Sequence, residues 1–248
     1  MTLSKLLAHL ALVLVFFSGQ VSAMSPEGGP IEPNRVTDEE VNIIAMFEDQ
    51  PLFLGKNLFS RVHYPVEASA RACSRRGNCP EGCTIGYGLN LAAHSRQKIM
   101  AKFAEAGISS AKAKAFATLS GVTGTRAVAM CGKHSPHRHK YPTLSRAEAM
   151  DLLRVSAKEY KANVVAKARQ MGVLHKLNKS QLAILVSLDY NCPCISSRAT
   201  HIWLQIKRGD IRAAVHNIRY GMGSQKEPAL QRRRNWESGY FAAASAGS

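Results

Sequence analysis

Two short stretches carry residues whose types and spacing could do chemistry: "MFEDQ", which holds Glu48, and "EGCTIGYGLNL", which runs from Glu81 to Leu91. Glu48 follows Val41, Ile44 and Ala45 at the i, i+3, i+4, i+7 spacing of one helical face, so its carboxyl ends an apolar stripe and points toward a core or a cleft. Burial disfavours the charged form, and a carboxyl kept protonated near neutrality is what a general acid needs. Cleavage of a glycosidic bond uses such an acid together with a second group that activates water or attacks the sugar. In the second stretch Gly86 and Gly88 permit close backbone approach. Thr84 offers a hydroxyl where the turn begins, suited to a water or a substrate oxygen. Each motif also has a plainer reading: Glu48 as a helix-end acid paired with an arginine of the last helix, and TIGYG as an ordinary hairpin turn.

The elements that must position these groups are legible in outline. Thr37 and Glu40 form a T-x-x-E capping box that opens a helix over 37–50, which Pro51 stops. Residues 52–92 lack helical period, are broken by Gly, Pro and Ser, and contain the β-like piece "CTIGYG"; they read as a small hairpin lobe. From residue 94 to 241 the pattern is helical. "SRQKIMAKFAEAG" and "SSAKAKAFATLSG" are two helices, each ending at a glycine. Ser145 with Glu148 and Asn178 with Gln181 make two more capping boxes, the second opening "QLAILVSLDYN", apolar nearly all round and therefore a buried central helix. Ala199, Ile202, Trp203 and Ile206 form one amphipathic face, and Ile211, Ala214, Val215 and Ile218 another. A last helix runs from Pro228 to about Phe241. The fold class is α+β, a hairpin lobe and a helical lobe within one domain over 37–248.

Residues 1–23 have one lysine, an apolar run from Leu6 to Phe17 and the small-residue ending Val21-Ser22-Ala23, the pattern of a cleaved secretory signal peptide. Residues 24–36, rich in Pro and Gly, read as a flexible leader. The expected location is periplasmic or extracellular. Removing the signal takes away Lys5, so a formal charge of +16 becomes +15, with 32 Lys and Arg against 17 Asp and Glu. Such a surface attracts polyanions, and outside the cytoplasm these are cell-wall polymers and membrane lipids in place of nucleic acid.

The six cysteines all follow the signal, where disulfides persist. Cys192 and Cys194 flank one proline and are not expected to bond to each other, which predicts bridges from the 73–83 segment to Cys131 and to the 192–194 elbow. A zinc site from Cys131, His134, His137 and His139 is the alternative, although the spacing fits no standard pattern. His63 and His94 read as surface residues. Tyr87 either lines a cleft or packs the hairpin.

Taken in order, "MFEDQ", "TIGYGLNL", "LNKSQLAILVSLDYN" and "PALQRRRNWESGYF" resemble the landmarks of the phage-type lysozymes, the endolysin muramidases, over residues 37–241. The long interval containing "HYPV" and the segment "TLSGVTGTRAVAM" are similar to the pesticin-like branch. The resemblance implies a lysozyme-like fold and hydrolysis of the β-1,4 bond between N-acetylmuramic acid and N-acetylglucosamine, with Glu48 as catalytic glutamate and Thr84 as catalytic threonine. The arginines of "LQRRRNWESGYF" would brace the hairpin lobe and Glu48. No cofactor or metal is implied, and the expected partners are glycan strands met by a monomer.

The chain departs from the family at the third catalytic position. The pesticin-like aspartate, six residues after the threonine, is here Asn90, and the viral one, six residues before it, is Asn78. The nearest acid is Glu81. Three alternatives follow: Asn90 orients the water, Glu81 acts as base, or the protein binds glycan without cutting it. An inverting mechanism fits the first, because asparagine cannot form a glycosyl ester. A further idea, membrane disruption by Arg232-Arg233-Arg234 beside Trp236 and by "HSPHRHK", competes with a plain solvated basic face.

Overall fold

The computed structural model describes residues 31–48, 58–64, 82–221 and 228–246. Residues 1–30, with the signal-peptide pattern, lie outside these, as do Cys73, Asn78, Cys79 and Glu81. No helix among the described residues is long and apolar enough to cross a membrane.

Helix α1 spans Asp38–Glu48. It starts as predicted: the Glu40 carboxylate accepts from the Thr37 N–H at 2.7 Å, and Thr37 Oγ1 accepts from the Glu40 N–H at 3.3 Å. Val41, Ile43 and Ile44 are fully buried. Two strands follow, β1 (Thr84–Ile85) and β2 (Leu89–Asn90), antiparallel with Thr84 opposite Asn90 and Ile85 opposite Leu89. The remaining described residues are mainly helical: α2 (Arg96–Glu105), α3 (Ser110–Ala117), α4 (Gly124–Cys131), α5 (Arg146–Gln170), α6 (Lys179–Asn191), α7 (Cys194–Ser197), α8 (Thr200–Arg208), α9 (Ile211–Tyr220) and α10 (Pro228–Ala246). The architecture is thus α+β, mostly helical with one small antiparallel sheet.

The chain divides into two compact units. The larger comprises Glu32–Leu174 and Ala183–Thr200 and holds α1, the hairpin, α2–α5 and α7. Its core joins Ile99, Phe103, Phe116, Leu119 and Leu152 with Ile184, Leu185, Val186 and Leu188 of α6, all 1% exposed or less. Each such side chain contributes about 1.5–3 kcal/mol by leaving water. The smaller unit takes in the described residues of 175–182 and 201–248. There Asn178 and Gln181 cap α6 reciprocally, and they also bond Ala244 O and Ser245 Oγ of α10 at 2.8 and 2.7 Å. Ile202, Trp203 and Ile206 are buried, and so are Ala214 and Ile218 of the second predicted face.

Three expectations are corrected. Cys83 bonds to Cys131 as foreseen, but Cys192 and Cys194 bond to each other, so the elbow is not tied to the 73–83 segment. The Pro193 turn brings their Cα atoms to 5.2 Å, inside the range a disulfide spans. Helix α10 continues five residues past Phe241 to Ala246. Arg233 and Arg234 are not a solvated or membrane-facing pair: both are buried and both hold the buried Glu237 one turn on, Arg233 Nε at 3.0 Å from Oε1.

Candidate active site

Glu48 owes its position to the anchoring of α1 on α5. Glu40, 1% exposed, pairs with Lys161 of α5 at 2.8 Å, and Arg154 of the same helix bonds Asp38 at 2.6 Å and Val36 O at 3.3 Å. Burial pushes the Glu40 carboxyl up, and the Lys161 ammonium opposes this. A buried ion pair of this kind fixes register more than it adds stability, because removing one partner leaves an uncompensated charge inside. With α1 held there, the half-buried Glu48 faces the hairpin turn.

That turn is Gly86-Tyr87-Gly88, with φ of +63° at Gly86 and +97° at Gly88, a conformation that L side chains rarely adopt. Gly88 has a second reason to be glycine. A Cβ on it would lie 3.3 Å from the Tyr190 ring and hydroxyl and 3.4 Å from Glu48 Oε2. The Glu48 carboxylate and the Tyr190 phenol therefore converge on the bare backbone at Gly88. Tyr190 in turn donates its hydroxyl proton to Tyr87 O, which ties α6 to the turn. Its ring packs against Tyr160 of α5, with centroids 4.9 Å apart. Burial, and then the carboxylates of Glu159, Asp189 and Glu48, raise the Tyr160 phenol above its ordinary value, so it stays a protonated donor at neutral pH. Tyr87 packs the hairpin: it is 3% exposed and stacks on Phe59 at 5.5 Å.

Thr84 and Asn90 are directly opposed across the two strands, so their side chains share one face. Thr84 is buried and Asn90 half-buried. Asn90 Oδ1 accepts from the Ala92 N–H at 3.0 Å and caps the 3-10 turn Leu91–Ala93. One lone pair of its oxygen is thereby held by the backbone; the other lone pair and the Nδ2 donor can hold a water, but a neutral amide cannot take a proton from it. Cys83, next to Thr84, is pinned to Cys131 of α4 by the disulfide. The structure thus gathers Glu48, Thr84 and Asn90 at one hairpin, while Glu81 lies outside the described residues. With Cys131 in a disulfide, the thiolate of the alternative zinc reading is absent, and no group of three His, Cys, Asp or Glu among the described residues could hold a metal.

Four contributors were missed from sequence. Tyr190 and Tyr160 enter the site from helices whose apolar pattern advertises only a core. Asp189 is a buried carboxylate inside the same apolar run; burial raises it, while the Ser196 N–H and hydroxyl, both at 2.9 Å, oppose this. His63, read as a surface residue, is half-buried and backbone-paired with Thr84. Its signal was available: in "RVHY" Val62 and Tyr64 are buried and Arg61 exposed, the period of two expected of a strand.

A family model described as "Domain of unknown function (DUF8812)" matches residues 60–218, a span that includes His63, Thr84, Asn90 and Tyr190 and begins after Glu48. No curated protein matches the chain.

Proposed function

We infer that this chain, which belongs to the DUF8812 family, is an exported muramidase that hydrolyses the β-1,4 bond between N-acetylmuramic acid and N-acetylglucosamine. The observation that carries the reading is the meeting of the Glu48 carboxylate with the Gly88 turn of a hairpin whose strands pair Thr84 with Asn90. The bare backbone at Gly88 lets the carboxyl and the Tyr190 phenol come close to the turn, and the phenols supply polar contacts beside the carboxyl. On this reading the α+β fold is of the lysozyme-like class. Glu48 is the general acid that protonates the leaving oxygen, and Thr84 and Asn90 hold the attacking water on the opposite side of the ring. The strongly basic surface draws the enzyme to anionic wall polymers.

Purified protein is expected to clear a peptidoglycan suspension with release of reducing ends, and Glu48→Gln to abolish this with the helical circular dichroism unchanged. Clearing by Glu48→Gln at the wild-type rate overturns the assignment. A second reading, a wall-binding module without hydrolysis, is favoured by one observation: position 90 holds an amide whose oxygen is already bonded to Ala92. It requires salt-sensitive retention on peptidoglycan with no reducing ends at any pH.

A further inference from the structure

The hairpin has a third extended neighbour. The His63 N–H donates to Thr84 O at 2.9 Å and the Thr84 N–H donates to His63 O at 2.7 Å. Two bonds exchanged in this way place the residues directly opposite, with their side chains on the same face. Thr84 is also directly opposite Asn90 on its other side. His63, Thr84 and Asn90 therefore form a row across two strand spacings, about 10 Å. Gly88, in the turn that joins the same two strands and two residues before Asn90, is the point that meets Glu48.

Within that row His63 alone has a basic atom. Asn90 carries an amide and Thr84 a hydroxyl. His63 Nδ1 lies 3.2 Å from Arg61 O. A carbonyl only accepts, so Nδ1 carries the proton and Nε2 keeps the lone pair. The groups around it favour the neutral ring. Burial lowers its proton affinity, the Arg61 carbonyl opposes this, and the Arg138 guanidinium lowers it further. Arg138 approaches from the 3-10 turn Pro136–Lys140, its Nε on Val62 O at 3.1 Å. Arg61 carries a second positive charge alongside, against His139 Nδ1 at 3.3 Å.

We propose that His63 is the general base of this site, taking through Nε2 a proton from the water that Thr84 and Asn90 hold. The proposal rests on the muramidase reading and completes it with a base that neither Asn90 nor Thr84 can supply. In the step, the water oxygen bonds to the anomeric carbon as the bond from that carbon to the leaving oxygen breaks. The Glu48 carboxyl gives its proton to the leaving oxygen, and Nε2 accepts one from the water. One water is consumed, the two sugar ends gain H and OH, and the imidazolium proton returns to the Glu48 carboxylate through solvent. The product carries inverted anomeric configuration.

The test uses the full chain and peptidoglycan glycan fragments. His63→Gln keeps the side-chain volume and a donor for Arg61 O while removing the base; it is expected to lower kcat by about 100-fold or more with KM little changed. It should also abolish the acid limb of the kcat/KM profile, the fall in rate as His63 takes up a proton. Sodium azide should restore turnover in His63→Ala as a glycosyl azide, which a merely structural residue would not allow. The wild-type product, read by proton NMR within the first turnovers, should be the α anomer. Wild-type rates with an intact acid limb in His63→Gln, or a retained β anomer from the unmodified enzyme, overturn the proposal and leave the muramidase assignment standing. An unmodified protein that releases no reducing ends at any pH overturns both.

Discussion

A methyl group on Gly88 would have to share its place with the Tyr190 ring and the Glu48 carboxylate, whereas one on Gly86 would meet its nearest side-chain atom at a comfortable 3.7 Å. Both glycines have positive φ, so alanine at either costs on the order of 1–2 kcal/mol of backbone energy. The pair separates strain from site geometry. Gly86→Ala and Gly88→Ala are expected to lose similar stability in urea unfolding, but only Gly88→Ala should also lose wall-clearing activity; equal activity losses would mean the turn matters only as a scaffold. Asn90→Asp makes a second residue-scale prediction. Aspartate caps as well as asparagine, so the bond to Ala92 N–H survives, and the second carboxylate oxygen adds an acceptor to the row. Release of reducing ends should rise with the melting temperature held; a fall would show that the amide donor itself is needed. Glu48 was legible because helical spacing alone assigns it to the end of a buried face. Tyr190 was not, since its place depends on α6 meeting the hairpin, a contact that no local period encodes; for His63 the period of two in "RVHY" marks a strand but not its partner Thr84.

At the scale of the element, all three predicted capping boxes form, because each is satisfied by residues three apart and needs no tertiary partner. Tertiary structure then adds to them. Glu148, the N3 residue of the α5 box, also accepts from Lys112 of α3 at 2.7 Å, so one carboxylate caps its own helix and joins it to another. Burial pushes the Glu148 carboxyl up, but the bonds from Lys112 and Ser145 outweigh this and hold it below its ordinary value. A carboxyl depressed in the fold stabilises above its unfolded value, about 4.3, and that stabilisation is lost as pH falls through the lower folded value. Lys112→Ala should therefore cost about 1 kcal/mol at neutral pH, with a gap to wild type that shrinks toward about pH 3. Urea unfolding at the two pH values checks it, and a gap independent of pH would assign the loss to packing of the lysine stem. The disulfides show the opposite limit of legibility. Cys83–Cys131 follows from a hairpin that needs a staple, whereas the Cys192–Cys194 bond depends on how sharply Pro193 turns the chain.

Charge acts on the molecule as a whole, and it allows binding to be separated from chemistry. The formal charge of +16 is spread along the chain, but the loop with Lys133, His134, His137, His139 and Lys140 exposes its side chains within a few residues of one another, and the exposed Arg61 reaches it through His139. Attraction between such a surface and an anionic wall polymer is screened over about 10 Å at 0.1 M salt and about 3 Å at 1 M. On the proposed reading, the chemistry at Glu48 is instead a local matter of hydrogen bonds and proton transfer, which screening leaves largely untouched. Retention on peptidoglycan should therefore fall steeply between those salt concentrations, equally for wild type and Glu48→Gln, while cleavage of short uncharged glycan fragments by wild type stays nearly constant. Reversing two charges of the loop, Lys133→Glu with Lys140→Glu, should lower retention at low salt and flatten its salt dependence without changing fragment cleavage. If the reversed protein is retained as well as wild type, the attraction is distributed over the rest of the basic surface, and the loop has no special part in bringing the site to its wall.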